Sequence, residues 1–293
     1  MIVSIMRDLS EDALQRCREI TGADVRVMEP EGADVQVIYR KYSVTKDLKM
    51  LQTISAGVDH LDFKSVPERV TICSNAGAFS EPVAEHAFAM LLSVSKRILD
   101  FEKQARKGVY EKLPVNSLIG KKLGIFGYGG IGRSTARIAK ALNMETIAHS
   151  RSRNGDENLD RFVDSPEELF KESDIVVLAM PLTNMTRGII DSHLLSKFNG
   201  ETIVNVARAD VVEESDMLEY LRKNPDKHYL TDVWWREPKV DFPIPENVLL
   251  TPHVGGINRS LEANAVYRAC QNVRKFIDGK TPDHIVDRKE YSA

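Results

Sequence analysis

Short apolar runs rich in β-branched residues alternate with amphipathic stretches of helical period along nearly the whole chain, and this alternation constrains the fold most. Residues 1–7, 33–40, 51–55 and 70–74 read as strands, with helical stretches at 11–20 and 81–99. A second series places strands at 123–127, 145–149, 174–179, 201–207, 229–233 and 248–251. Helices at 131–142, 166–171 and 214–222 lie between these strands, and a last long helix is predicted over 259–277. Runs such as Ile175-Val176-Val177-Leu178-Ala179 show no polar alternation, so both faces of those strands must be covered. Strand–helix–strand units of this kind build parallel sheets. With 293 residues the expectation is an α/β chain of two lobes, the mostly polar stretch 102–116 serving as hinge or exposed surface.

Composition narrows the function. Lys and Arg total 40 against 43 Asp and Glu, a net charge of -3, which gives no footprint for nucleic acid. The 42% apolar and 28% charged fractions are those of a folded globular chain. Its longest apolar run, at 175–182, is far short of the roughly 20 residues that span a bilayer, so no membrane partner is expected. Residues 1–7 lack the charged region and cleavage site of a signal peptide. Cys17, Cys73 and Cys270 are odd in number, distant and without a CxxC pair. That argues against a disulfide framework or a zinc site and for a reducing, cytoplasmic location.

Gly127-Tyr128-Gly129-Gly130-Ile131-Gly132 fits G-x-G-x-x-G. Glycine-rich turns produce the pattern by chance, but here a strand enters it and an Ala- and Ile-rich helix leaves it. That context fits a dinucleotide pyrophosphate at a helix N-terminus, and hence Rossmann-like lobes. At the end of the next strand, where an acid usually meets the ribose hydroxyls, the chain has His149-Ser150-Arg151-Ser152-Arg153. Two guanidiniums and two hydroxyls suit a phosphate, so NADP(H) is preferred and NAD(H) remains possible. The plainer reading of Ser150–Arg153 is a solvated basic loop.

Several separated motifs carry a resemblance. They are Ser55-Ala56-Gly57-Val58-Asp59-His60-Leu61-Asp62, Val83-Ala84-Glu85-His86, the stretch from Ser173 through Pro181 to Thr186, and Asn205-Val206-Ala207-Arg208. Asp232-Val233-Trp234-Trp235-Arg236-Glu237-Pro238 and Thr251-Pro252-His253 complete the set. Together the chain resembles the D-isomer-specific 2-hydroxyacid dehydrogenases, in particular the branch of glyoxylate and hydroxypyruvate reductases and glycerate dehydrogenases. The residues suit that chemistry. Reducing a 2-keto acid needs a cation for the carboxylate and carbonyl, and Arg208 follows an apolar strand at its carboxyl end. A proton donor must meet the developing alkoxide, which His253 can do near neutral pH. A carboxylate must orient that imidazole and favour its charged form, the role expected of Glu237.

The resemblance implies further roles. Backbone N–H groups of Ala56 and Gly57 would hold the substrate carboxylate. Asp232 would accept from the nicotinamide carboxamide beside the Val206 carbonyl and Ala207. Gly130 and Ile131 would meet the pyrophosphate, and Met180, Pro181 and Thr186 would line the adenosine side, with Gly255 also at the cofactor. Tyr42 is a candidate pocket wall or a surface tyrosine. Trp234 and Trp235 flank Glu237, where at least one is expected to pack. His60, His86, His149, His193, His228 and His284 read as structural or surface residues. Two departures stand out: Ala209-Asp210 where the family commonly has Gly, and Ala179 where it usually has a polar residue. Glu237 itself argues against a formate dehydrogenase, whose relatives carry glutamine there.

The domain expectation is a substrate lobe of residues 1–91 with 262–293 and a cofactor lobe of 92–261, the active site lying in the interdomain cleft. Residues 81–108 are the expected homodimer interface. The functional expectation is an NADP-preferring reductase of a small 2-keto acid giving the D-2-hydroxy acid. Two alternatives stay open: a dinucleotide-binding sensor akin to the corepressors related to this family, and a dehydrogenase of another oxyanion such as phosphite.

Overall fold

The computed structural model describes residues 1–240, 243–257 and 262–291. Two compact units divide the chain, Met1–Phe79 with Ile257–Ala293 and Ser80–Gly256. In the first unit, β1 (Ile2–Ile5), α1 (Glu11–Thr21), β2 (Asp24–Val27), β3 (Val35–Ile38), β4 (Met50–Thr53) and β5 (Thr71–Cys73) follow one another. All five strands are parallel, in the order β2-β1-β3-β4-β5. Helix α1 starts where the Ser10 side chain accepts from the Ala13 N–H, and it stops at Gly22, whose φ of 63° suits glycine.

The second unit opens with α2 (Ser80–Ser95) and α3 (Ile98–Ala105). Then come β6 (Lys122–Phe126), α4 (Gly130–Ala141), β7 (Glu145–His149), β8 (Arg161–Phe162), α5 (Pro166–Glu172) and β9 (Ile175–Leu178). The series ends with α6 (Ser192–Leu195), β10 (Thr202–Asn205), α7 (Glu214–Lys223), β11 (His228–Thr231) and β12 (Val248–Leu250). Its parallel sheet runs β12-β11-β10-β9-β6-β7-β8, so the strand order reverses at β6 beside β9. Such a switch point opens a crevice at the carboxyl ends of the strands, where ligands bind. All four residues of β9 and of β10 are buried, as expected of strands covered on both faces. One face packs Phe170, Val176, Ile203 and Met217, and the other packs Ile125, Ala136, Val177 and Leu230. Helix α8 (Glu262–Ile277) returns to the first unit and buries Ala265, Ala269, Cys270 and Val273 with Val3, Ile5 and Cys17.

The strand series matches the sequence reading with two short additions, β2 and β8; among the helices α6 is an addition, and the single helix read over 81–99 is two, α2 and α3. The division between units falls at 79/80, whereas sequence reading placed the boundary at 91/92. Helix α2 packs along α4, and Ala87, Phe88 and Leu91 join the core of the second unit. The other expected boundary, 261/262, and the first turn of the helix predicted from 259 involve residues outside the described set. Residues 102–116 lie within the second unit, as the end of α3 and surface coil, with Tyr110 93% exposed. Cys17, Cys73 and Cys270 are buried free thiols.

Candidate active site

The glycine loop follows β6 at the switch point. Gly127 has φ 98°, and a Cβ there would sit 2.7 Å from the Met180 backbone nitrogen. A Cβ on Gly132 would sit 2.2 Å from the Gly127 carbonyl oxygen, so both positions exclude any side chain. Gly129 faces open space, with nothing within 4 Å of a built Cβ, and it starts α4 without a side-chain cap. The first-turn N–H groups, including those of Gly130 and Ile131, therefore have no side-chain cap and stand beside the open space at Gly129. That is the cradle a pyrophosphate fits. Met180 is buried beneath the loop, while the Pro181 carbonyl accepts from the Thr186 hydroxyl at 2.6 Å.

The end of β7 is held beside this loop, because the Gly127 N–H donates to the His149 carbonyl at 2.9 Å. Ser150 is half-buried, and Arg151, Ser152 and Arg153 are exposed. Arg153 is engaged, donating to Asp164 at 2.7 Å in an exposed pair of the kind that costs little to break. Asp156 closes the loop by accepting from the Tyr128 hydroxyl (2.8 Å) and from Arg133 (2.9 Å), whose guanidinium lies over the Tyr128 ring. Burial and the Asp156 carboxylate push the Tyr128 phenol well above its ordinary range.

Beyond β11 and β12 the chain brings Glu237 and His253 together. His253 Nδ1 lies 2.9 Å from Glu237 Oε2, and Glu237 Oε1 accepts from the Trp234 N–H at 2.9 Å. Burial pushes the Glu237 carboxyl up. The bonds from His253 and Trp234 and the charges of His253 and Arg208 outweigh it, holding the group below the usual range. A carboxylate only accepts, so Nδ1 carries its hydrogen and Nε2 is left for other partners. Arg208 follows β10. Its Nη1 donates to the Ala207 carbonyl, and Asn205 braces the turn through the Arg208 carbonyl and the Ala207 N–H.

His253 has φ 56°, a left-handed conformation that costs a non-glycine residue about 1–3 kcal/mol and persists only when its surroundings enforce it. Asp232, 4% exposed, supplies the enforcement. Its Oδ1 accepts from the Val254 N–H (2.9 Å) and the Thr251 hydroxyl (2.6 Å), and its Oδ2 accepts from the Gly255 N–H (2.7 Å). Burial raises this carboxyl, but the bonds from His86, Thr251, Gly255 and Val254 together lower it below its ordinary value. Most of the acceptor capacity that the sequence reading reserved for a carboxamide is thus used within the protein. His86, on α2, lies 2.8 Å from Thr251 Oγ1 and 3.4 Å from Asp232 Oδ1.

In the first unit, Thr53 and Ser55 donate to the Ser55 and Gly57 carbonyls and shape the turn after β4. Among the described residues no acceptor meets the N–H groups of Ala56 and Gly57. The Tyr42 hydroxyl accepts from the Asp62 N–H at 3.1 Å, and Tyr42 packs against the core cluster that includes Val58, Leu61 and Phe63.

Comparison with known proteins places this geometry. The family model for the D-isomer specific 2-hydroxyacid dehydrogenase, NAD binding domain, matches residues 88–255, more than half of the chain. The chain belongs to the D-isomer specific 2-hydroxyacid dehydrogenases. It is 30% identical over 258 residues to a glyoxylate reductase of Aeropyrum pernix, covering 83% of this chain and 77% of the relative. It is 32% identical over 219 residues to a hydroxypyruvate reductase of Thermotoga maritima, covering 72% and 71%. Among solved structures, a glycerate dehydrogenase related protein from Thermoplasma acidophilum is 43% identical, with a TM-score of 0.71 over 94% of this chain and 100% of that one. As a 2-hydroxyacid dehydrogenase, the protein is an oxidoreductase acting on the CH–OH group of small hydroxy acids with a nicotinamide cofactor.

Of the two departures from the dehydrogenase pattern, the one after Arg208 has a local explanation. Ala209–Val211 form a 3-10 turn, so no glycine is required after Arg208. Asp210 pairs with Arg187, and its carbonyl accepts from the Gly188 N–H at 2.9 Å, tying this turn to the segment that follows Thr186. At Ala179 the backbone N–H bonds the Phe126 carbonyl at 2.8 Å, and its chain neighbours Leu178 and Met180 bring no polar side chain in place of the missing one. Trp235 packs on Tyr229 and donates to the Val212 carbonyl, while Trp234 is buried against it. Among the described residues no helix is long and apolar enough to cross a membrane, and no cluster of acidic, His and Cys groups could hold a metal. Sequence reasoning missed His86 and Thr251, which stand inside two quoted motifs but 165 residues apart.

Proposed function

We propose that the protein reduces a small 2-keto acid, glyoxylate or hydroxypyruvate first, to the D-2-hydroxy acid, with Arg208, Glu237 and His253 as its catalytic residues and NADPH as the preferred reductant. The observation that carries this reading is the His253–Glu237 pair at 2.9 Å, with the Arg208 charge acting on the same carboxylate. A nicotinamide cofactor supplies the hydride when bound. The glycine loop from Gly127 to Gly132 holds its pyrophosphate, with Met180, Pro181, Thr186, Val206, Ala207, Asp232 and Gly255 as further contacts. Arg208 binds the substrate carboxylate and polarises the carbonyl. His253 delivers a proton from Nε2 to the carbonyl oxygen, and Glu237 holds Nδ1 so that Nε2 faces the reaction. Ala56 and Gly57 supply backbone N–H donors for a carboxylate.

NADPH preference is supported by Ser150–Arg153 standing at the end of β7 without a carboxylate of its own. NADH remains the second cofactor. The deciding experiment follows NADPH and NADH oxidation by the purified protein with glyoxylate, hydroxypyruvate, pyruvate and phenylpyruvate. Turnover with NADPH on glyoxylate and hydroxypyruvate is the expected result. Turnover with NADH alone would overturn the phosphate role of the basic loop and keep the triad. Cofactor binding with no turnover would overturn the reductase reading in favour of a sensor or an oxyanion dehydrogenase.

A further inference from the structure

His86 belongs to no part of the reaction described above, yet its ring nitrogen ends a chain of hydrogen bonds that leads to His253. Thr251 Oγ1 lies 2.6 Å from Asp232 Oδ1, and an ionised carboxylate cannot donate, so the single hydroxyl hydrogen points at Asp232. Thr251 Oγ1 can then only accept at its 2.8 Å contact with His86, which fixes the imidazole hydrogen on Nε2. The same Nε2 stands 3.4 Å from Asp232 Oδ1. From Asp232 the chain passes to the N–H groups of Val254 and Gly255, the two residues after His253. The packing is equally close. A Cβ on Gly255 would come within 2.9 Å of Asp232 Oδ2 and 3.3 Å of His86 Cδ2, so the imidazole lies directly against this backbone. A left-handed His253 has to be held from outside, and this is the set of contacts that holds it.

We infer that His86 is a positioning residue for the reaction: its Nε2–H, through Thr251 and Asp232, locks the backbone of residues 253–255 in the conformation that presents His253 to Glu237. The inference rests on His253 as the proton donor. His86 bonds Thr251 and lies against Asp232 and Gly255, so its loss acts on turnover and, through those two residues, on the cofactor, rather than on the substrate carboxylate.

The test compares His86→Phe, which keeps a ring and removes the donor, with His86→Gln, whose amide nitrogen can donate to Thr251. His86→Phe is expected to lower kcat about 10-fold, the scale of one buried hydrogen bond, while KM for glyoxylate stays within about 2-fold. His86→Gln is expected to recover most of that loss. Amide hydrogen exchange in the cofactor-free protein gives a second readout. Val254 and Gly255 should exchange about 10-fold faster in His86→Phe and near the wild-type rate in His86→Gln. Wild-type kcat and exchange in His86→Phe would overturn the inference, as would equal losses in both variants, which mean packing alone. If His86→Phe fails to fold, Thr251→Val removes the bridge together with the hydroxyl's own bond to Asp232, and lower kcat with faster exchange at Val254 and Gly255 is expected, wild-type values of both overturning the inference. Should His253→Gln keep wild-type kcat, the catalytic reading falls, and the exchange measurement still judges the clasp separately.

Discussion

Asp232 is the residue on which the site's local electrostatics turn. It is buried, ionised and matched to three donors within 2.9 Å, so replacing it by asparagine leaves at least one backbone N–H facing an amide that also donates. Hydrogen bonds to a charged group contribute about 1.5–3 kcal/mol, and Asp232→Asn is expected to destabilise the folded protein by about 1–3 kcal/mol near neutral pH. The sign of its pH dependence follows from the lowered carboxyl. A group whose folded pKa lies below its unfolded value stabilises fully above the unfolded value, near 3.9, and loses that contribution as pH falls through the folded one. The gap between wild type and Asp232→Asn should therefore be constant from neutral pH down to about 5 and close below about 4, where the protonated carboxyl resembles the amide. Urea unfolding across that range measures it, and a gap that widens in acid would contradict the assignment. Glu237 was legible in the sequence as the partner of His253 because both stand in recognisable motifs after strands. The link from Asp232 to His86 was not, since a helix and a loop so distant in sequence meet only through the packing of α2 within the second unit.

At the scale of elements, the loop after β7 should decide between the two cofactors. Ser150 and Arg151 follow directly on His149, whose carbonyl is tied to Gly127, so their positions are fixed by the glycine loop. Ser150→Asp combined with Arg151→Ala puts a carboxylate where a ribose hydroxyl can use it and removes one guanidinium. Each change is on the scale of one charge-assisted hydrogen bond, and the NADPH to NADH ratio of kcat/KM should fall by about 10-fold or more. An unchanged ratio in steady-state assays would sink the phosphate assignment. Arg153 is left in place because Asp164 already engages it. The elements around this loop also show what a sequence exposes. β9 and β10 are readable because every residue is buried and apolar runs have few other uses. β2 is not, because it is an edge strand with Asp24 and Arg26 alternating with valines, and β8 is only two residues long. α6 is four residues capped by the Asp191 side chain, too short to show a period.

For the molecule as a whole, exposed apolar surface is concentrated in one stretch. Ile98, Leu99, Val109, Tyr110, Val115 and Ile119 are all largely exposed, within the 22 residues that hold α3 and the coil after it. Scattered apolar residues need no explanation, but six exposed ones within one 22-residue stretch point to an association surface. We propose that this surface meets a second copy of the chain, and that the solution mass is twice the 33.0 kDa of one chain. Light scattering coupled to size exclusion reads that mass directly. Leu99→Asp with Tyr110→Asp should give the monomer with an unchanged far-ultraviolet spectrum. Both side chains lie outside the cores of the fold, and a charge there is costly only when another surface covers it. A monomeric wild type at micromolar concentration would remove the dimer. A dimer that survives both aspartates would move its interface away from α3. Residues 102–116 would then be surface coil alone, and their apolar side chains would call for another partner.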